Sequence, residues 1–194
     1  MNSSYLILLE QLGAHRTSHS RRTLLEHLRG THDLLEEWGH SPEVCVAGLF
    51  HSVYGTYIFE KQSADLSMRE EIRDVIGSHA ERLVYAFCVS DRRRFYEHLG
   101  ESRFLLPDVA RGRDMELDNS DLAALIEIEV ANVVDQVPYR STKKALAAAE
   151  LYEAAFARSR SYISVGASKA AELCFTQVRS DAIEALVSMP HIRT

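Results

Sequence analysis

The stretch SPEVCVAGLFHSVYG, residues 41–55, decides the fold. A serine cap, a proline in the first turn and a glutamate set against the dipole open a helix. Val44, Ala47, Gly48 and His51 recur at steps of three and four, which is the spacing of one helix face. The pattern predicts a helix from Ser41 to about Tyr54, ended by Gly55. Small residues on that face let a second helix approach closely, and His51 is carried into the contact. A histidine so placed invites a metal ion.

Working outward, nearly every segment has the helical period. Residues 5–13 make a short apolar start. Ser20 is the expected cap of a helix running to Trp38 and stopped by Gly39, with Leu24, Leu28, Thr31, Leu35 and Trp38 on one face. The runs beginning at Ser67 and Ser78 both match a capping box, with Glu70 and Glu81 three residues on. Asp91 caps a short helix. Residues 100–118 form an irregular excursion with a small hairpin between 104–106 and 115–117. Asn119, Ser120 and Asp121 start a long helix to about Gln136, broken at Pro138. Ser141 opens an alanine-rich helix to about Ser159, and two further helices fit 165–177 and 179–188. The fold class is all-α, a single domain over residues 1–194.

Composition narrows the rest. A formal net charge of -6 argues against a general nucleic-acid binder, since the only dense basic run is Arg92–Arg94. No apolar stretch reaches the ~18 residues needed to span a bilayer, and the N-terminus lacks a signal-peptide pattern. Cys45, Cys88 and Cys174 are widely spaced in apolar helical sequence, which reads as reduced core thiols. The expectation is a cytoplasmic protein with a small-molecule ligand and neither a nucleic-acid nor a membrane partner. The alanine-rich late helices offer a homodimer face.

Chemistry is sought where polar residues interrupt apolar faces, because burying them unpaired is costly. His27 and Thr31 do so on the second helix and His51 on the third. Glu129 and Asn132 interrupt the late face of Leu122, Leu125, Ile126, Val133 and Val137. His27, His51, Glu129 and Asn132 are expected to converge in one polar pocket. Ser52, Thr31 and Tyr54 lie beside or one turn from its histidines and join Glu129 and Asn132 as candidate catalytic groups. The competing reading of each is structural: a satisfied core histidine, an acid paired with a buried arginine, an amide on a helix end.

In these residues the chain resembles the HD superfamily of metal-dependent phosphohydrolases, which is all-helical. The resemblance covers residues 19–137 and leaves helices 141–188 as additions packed on that core. It implies His27 as first metal ligand, His51 as the histidine of the dyad, Ser52 in the place of the dyad aspartate, His79 as an intervening ligand and Asn132 in the place of the late aspartate. The segments 25–31, 48–56 and 90–92 also resemble a narrower HD-like family of unassigned function in which His-Ser is the usual form.

The two departures matter. A neutral serine hydroxyl and an amide leave a divalent ion with no anionic ligand, so a two-metal centre is disfavoured. Glu129 or Asp91 could supply a carboxylate, giving a mononuclear site for Fe, Mn or Zn. Arg92 could clamp a substrate anion. His79 and Asp91 also fit as helix-start residues, and Arg92 as part of a solvated charge run. Three activities remain open: a metal-dependent hydrolase of a small phosphorylated or nucleotide-like substrate, a metal-free ligand or acid–base pocket using His51 and Glu129, and an iron-dependent oxygenase.

Overall fold

A computed structural model describes residues 2–56, 62–90, 104–108 and 110–188, and these form eight α-helices with two short hairpins. The fold is all-α. Helix α1 (Ser3–Gln11) leads to a two-residue hairpin, β1 (Ser18–His19) and β2 (Arg22–Thr23), whose turn holds Ser20 at φ 58°. Helix α2 (Leu24–Glu37) therefore starts later than Ser20 suggests. Its cap is Thr23, which closes a reciprocal box with Glu26: Glu26 N–H donates to Thr23 Oγ1 and Thr23 N–H to Glu26 Oε2.

Helix α3 (Pro42–Phe50) is one turn shorter than expected. Residues 51–54 continue as turns, and Gly55 takes the left-handed conformation at φ 76°. A 3-10 turn capped by Asp65, not Ser67, precedes α4 (Arg69–Ile76), and α5 (Ser78–Val89) follows directly after Gly77. The box expected at Ser78 does not form, because Glu81 turns inward to Arg69.

Strands β3 (Phe104–Asp108) and β4 (Arg113–Leu117) pair antiparallel with Leu106 opposite Met115, the expected hairpin extended by two residues. Asp118 caps α6 (Asn119–Gln136), and α7 (Thr142–Arg158) follows a 3-10 turn at Val137–Tyr139. The last segment is one helix, α8 (Val165–Val187), rather than two. Ala167, Ala171, Phe175, Val178 and Ala182 form an unbroken buried stripe through the expected break, so packing holds the helix together there.

Helix α2 lies at the centre and packs on α3 and α6, with α5 against α3 and α6. Gly48 lets α3 close on α2: a Cβ there would collide with Leu35 and meet Thr31 Cγ2 at 3.5 Å. Helix α7 packs on α8, where Phe156 and Phe175 stack at 6.1 Å, and α8 packs on α6. Buried Glu127 of α6 accepts hydrogen bonds from Ser164 N–H and Oγ at the start of α8, and sits 3.0 Å from His40 Nε2. A single apolar core thus runs from Leu8 to Val178. No helix among the described residues is long and apolar enough to cross a membrane.

Candidate functional site

Helices α2, α3 and α6 bring three polar side chains to one point. His27 Nε2 lies 3.3 Å from His51 Nε2 and 3.1 Å from Asn132 Oδ1, and all three residues are buried. The far side of each ring is engaged. His51 Nδ1–H donates to Gly48 O at 2.7 Å, and His27 Nδ1–H donates to Asp135 Oδ2 at 2.5 Å. Asn132 Nδ2 donates to Glu129 Oε2 at 3.2 Å, which turns its oxygen toward His27. With the ring hydrogens assigned by these partners, two imidazole lone pairs and an amide oxygen face one gap. Three acceptors so close repel one another unless a cation or a proton stands between them.

Asp135 is the residue that the sequence reading missed. Its carboxylate bonds His27 and the guanidinium of Arg22, and Arg22 Nη2 also donates to Asp135 O at 3.0 Å. A carboxylate behind a histidine, orienting the ring and raising its basicity as a ligand, is the usual outer shell of a metal site. Gly30 makes this approach possible, since a Cβ there would collide with the Asp135 carboxylate. Asp135 lies one turn beyond Asn132, and that i, i+3 spacing was the available signal. Arg22 and His19 come from the hairpin, Arg22 from the first turn of the expected helix and His19 from just before its expected cap.

Burial lowers His27 to about 3, helped by the Arg22 guanidinium, so its ring is neutral as a ligand must be. His19 stacks on His27 with centroids 4.4 Å apart and is lowered to about 4, chiefly by burial and then by His27 and Arg22. Burial raises Asp135 to about 6 against the pull of Arg22. The signs oppose. As pH falls below 6.5, the unfolded chain protonates His19 and His27 while the folded one resists down to about 4 and 3, so stability is lost. Asp135 gains protons first in the folded state, between about 6 and 3.8, and offsets part of that loss. With chelator present, the melting temperature should fall from pH 6.5 to 4, and less steeply in His19→Gln. An equal slope in the two proteins would contradict the burial of His19 as a neutral ring.

The histidines floor a cavity of about 630 Å³. Ser52 also lines it; its buried hydroxyl has no hydrogen-bond partner among the described residues. The same cavity is lined by Arg21, Arg140 and Lys144, and by no Asp or Glu among the described residues. In a chain of net charge -6 that is a local reversal of sign, suited to an anionic ligand.

Of the expected site residues, His27, His51, Ser52 and Asn132 line this cavity. Glu129 stands behind Asn132 and orients it. The others go elsewhere. Thr31 Oγ1 donates to His27 O at 3.1 Å within its own helix, which occupies the hydroxyl in a local bond. Tyr54 OH donates to Glu81 Oε1 at 3.2 Å, away from the cavity lining, and burial with Glu81 drives its pKa strongly upward. His79, half exposed at the start of α5, pairs with Asp121 at 2.9 Å and does not join the histidines. Asp91 and Arg92 lie outside the described residues. A separate group, His32, Asp33 and Glu36 on α2, has ligand atoms all within 4.8 Å and could hold an ion, although both carboxylates stand in solvent.

A family described as a domain of unknown function (DUF6817) matches residues 8–92. That is less than half of the chain. It includes His27, His51 and Ser52, but neither Asn132 and Asp135 nor the cationic residues of α7. No curated protein matches the chain. No solved structure matches it either.

Proposed function

We propose that this chain is an HD-like hydrolase of a small phosphorylated molecule, built around one divalent ion held by His27, His51 and Asn132. The observation that carries the reading is the convergence of His27 Nε2, His51 Nε2 and Asn132 Oδ1 on one gap, backed by Asp135 and Gly48 O. Two imidazoles and a neutral oxygen suit Zn, Mn or Fe at modest affinity. Such an ion would supply a Lewis acid that polarises a phosphoryl oxygen and acidifies water. The chain's own part is to orient. Asp135 and Gly48 O fix the two rings, Glu129 fixes the amide of Asn132, and the cationic lining attracts the anion. Ser52 places a hydroxyl at the floor, free to bond a ligand oxygen.

Metal analysis of protein purified without added metal or chelator tests this. About one first-row metal per chain is expected, with affinity at least 100-fold weaker in His51→Ala, alongside metal-dependent cleavage of a generic phosphate ester. Absence of metal together with absence of metal-dependent cleavage sinks the reading.

One further observation favours a second reading. The 3.3 and 3.1 Å separations are also hydrogen-bond lengths, and among the described residues no anionic ligand atom faces the gap. With the ring hydrogen on His27 Nε2 and the proton of the Nδ1 contact carried by the Asp135 carboxyl, a proton fills the place of the ion and the pocket becomes a metal-free acid–base or binding site relayed to Asp135. Histidine ring NMR signals unmoved by added zinc would select it. A two-iron oxygenase receives no support from Ser52 and Asn132, which offer no bridging carboxylate.

A further inference from the structure

The cationic lining of the cavity is concentrated where no family match and no resemblance reaches, at the start of α7. That 17-residue helix is entered through Arg140 and Ser141, and Lys144 follows within its first turn. Arg140, Ser141 and Lys144 all line the cavity that the histidines floor. The cap position makes no side-chain hydrogen bond and the first turn has no acidic residue, so the first N–H groups and the positive end of the dipole meet no carboxylate from their own helix. Arg21 joins from the turn of the β1–β2 hairpin, across a different element. None of the three cations pairs with a carboxylate among the described residues. Arg140 instead donates to the neutral Gln136 Oε1.

A helix end and exposed cations do not make a site by themselves. The second observation is Ser52: 3% exposed, lining the same cavity, its hydroxyl without a hydrogen-bond partner among the described residues. A buried hydroxyl left unbonded costs on the order of 1–3 kcal/mol, a loss that a ligand reaching the floor would recover. Ser52 and the cations line one continuous space of about 630 Å³, large enough for a ligand with groups at both.

We infer that the N-terminal end of α7, with Lys144, Arg140 and Arg21, is the anion subsite of this cavity, taking a phosphate or carboxylate group. The ligand is then a small anionic organic molecule, and only the reaction of that anion at the histidines rests on the hydrolase reading. The helix supplies N–H donors and a fixed dipole, Lys144 a point charge, and Arg21 and Arg140 planar donors that match an oxyanion.

Inorganic phosphate titrated into the full chain, with the backbone amides followed by NMR, tests the subsite. In chelator-treated protein the amides of 142–144 should shift and saturate. Lys144→Glu and Arg21→Glu, both exposed positions that leave the core untouched, should each raise the Kd at least tenfold. Arg179→Glu, whose wild-type side chain pairs with Glu153 on the surface, should not change it. No saturable shift at 142–144, no effect of Lys144→Glu, or an equal effect of Arg179→Glu would each overturn the subsite. Zinc added to the same sample reports separately on the histidine ring signals. Phosphate binding at 142–144 with unmoved histidines would remove the metal centre and leave the subsite standing; the reverse pattern would do the opposite.

Discussion

Asp135→Ala is expected to destabilise the chain by about 3–5 kcal/mol and, if the proposed ion binds at His27 and His51, to weaken its binding by roughly 10–100-fold. Both effects come from one carboxylate with two partners. Arg22 is nine-tenths buried, lies over the Tyr139 ring at 3.9 Å, and has this carboxylate as its ion-pair partner. Removing the acid leaves a guanidinium in a poorly solvated place, which costs more than the pair contributes when intact. His27 in turn loses the acceptor that fixes its Nδ1–H, so its Nε2 lone pair is no longer held toward His51 and Asn132. Asp135→Asn keeps the shape and one acceptor but not the charge, and should fall between alanine and the native residue in both measurements. Arg22→Leu combined with Asp135→Leu removes both charges; most of the stability should return while the metal affinity stays low. Urea denaturation and metal competition with a chromophoric chelator read the two quantities. An Asp135→Ala protein within 1 kcal/mol of the native chain, with unchanged metal affinity, would show that the carboxylate neither balances Arg22 nor orients His27.

The helices were legible where a local signal and the packing agree. Pro42 and Glu43 open α3, Pro138 ends α6, and the apolar face of α2 reads directly from Leu24, Leu28 and Leu35. Two features were misread because a stronger signal stood nearby. Ser20 resembles a cap, but the Thr23–Glu26 pair satisfies two orphan N–H groups reciprocally and wins. Residues 177–179 look like a break between helices, yet Val178 continues the buried stripe of α8. His27, His51 and Asn132 were found because each interrupts an apolar face, and the cost of burial makes that interruption informative. Asp135 was not, since an acid near the end of a helix reads as solvated, and its partner Arg22 lies 113 residues away. Glu81 failed for the same reason in reverse: the spacing from Ser78 matched a local motif, while the partner that took the carboxylate sits on the preceding helix.

That partner sets up the other large effect. Glu81 is 1% exposed, accepts from Arg69 Nε at 2.6 Å and Nη2 at 2.8 Å, and accepts from Tyr54 OH at 3.2 Å. Arg69 lies 3.5 Å over the Tyr85 ring, and Tyr85 OH donates to Asp108 Oδ2 at 2.9 Å. The Glu81 carboxylate therefore joins α4, α5 and the turn that follows His51, while Tyr85 under Arg69 ties the β3–β4 hairpin to α5. Glu81→Ala strands a guanidinium and a buried phenol together, so a loss of about 3–5 kcal/mol is expected. For a chain of this size that is roughly a 10 °C fall in melting temperature. Glu81→Gln keeps an acceptor for Tyr54 but not the charge that Arg69 needs, and should lose less. Replacing Glu81 and Arg69 together by leucine should recover part of the loss, because the desolvated charge goes with its partner. Because Glu81 does not line the cavity, zinc affinity measured on the folded protein should change less than threefold in Glu81→Gln. A fall in affinity as large as that of Asp135→Ala would mean that the Tyr54 anchor, by holding residues 51–54, also sets the position of His51. Unchanged stability in Glu81→Ala would show that Arg69 finds another partner, of which Glu70 and Glu71 in the first turn of α4 are the nearest along the chain.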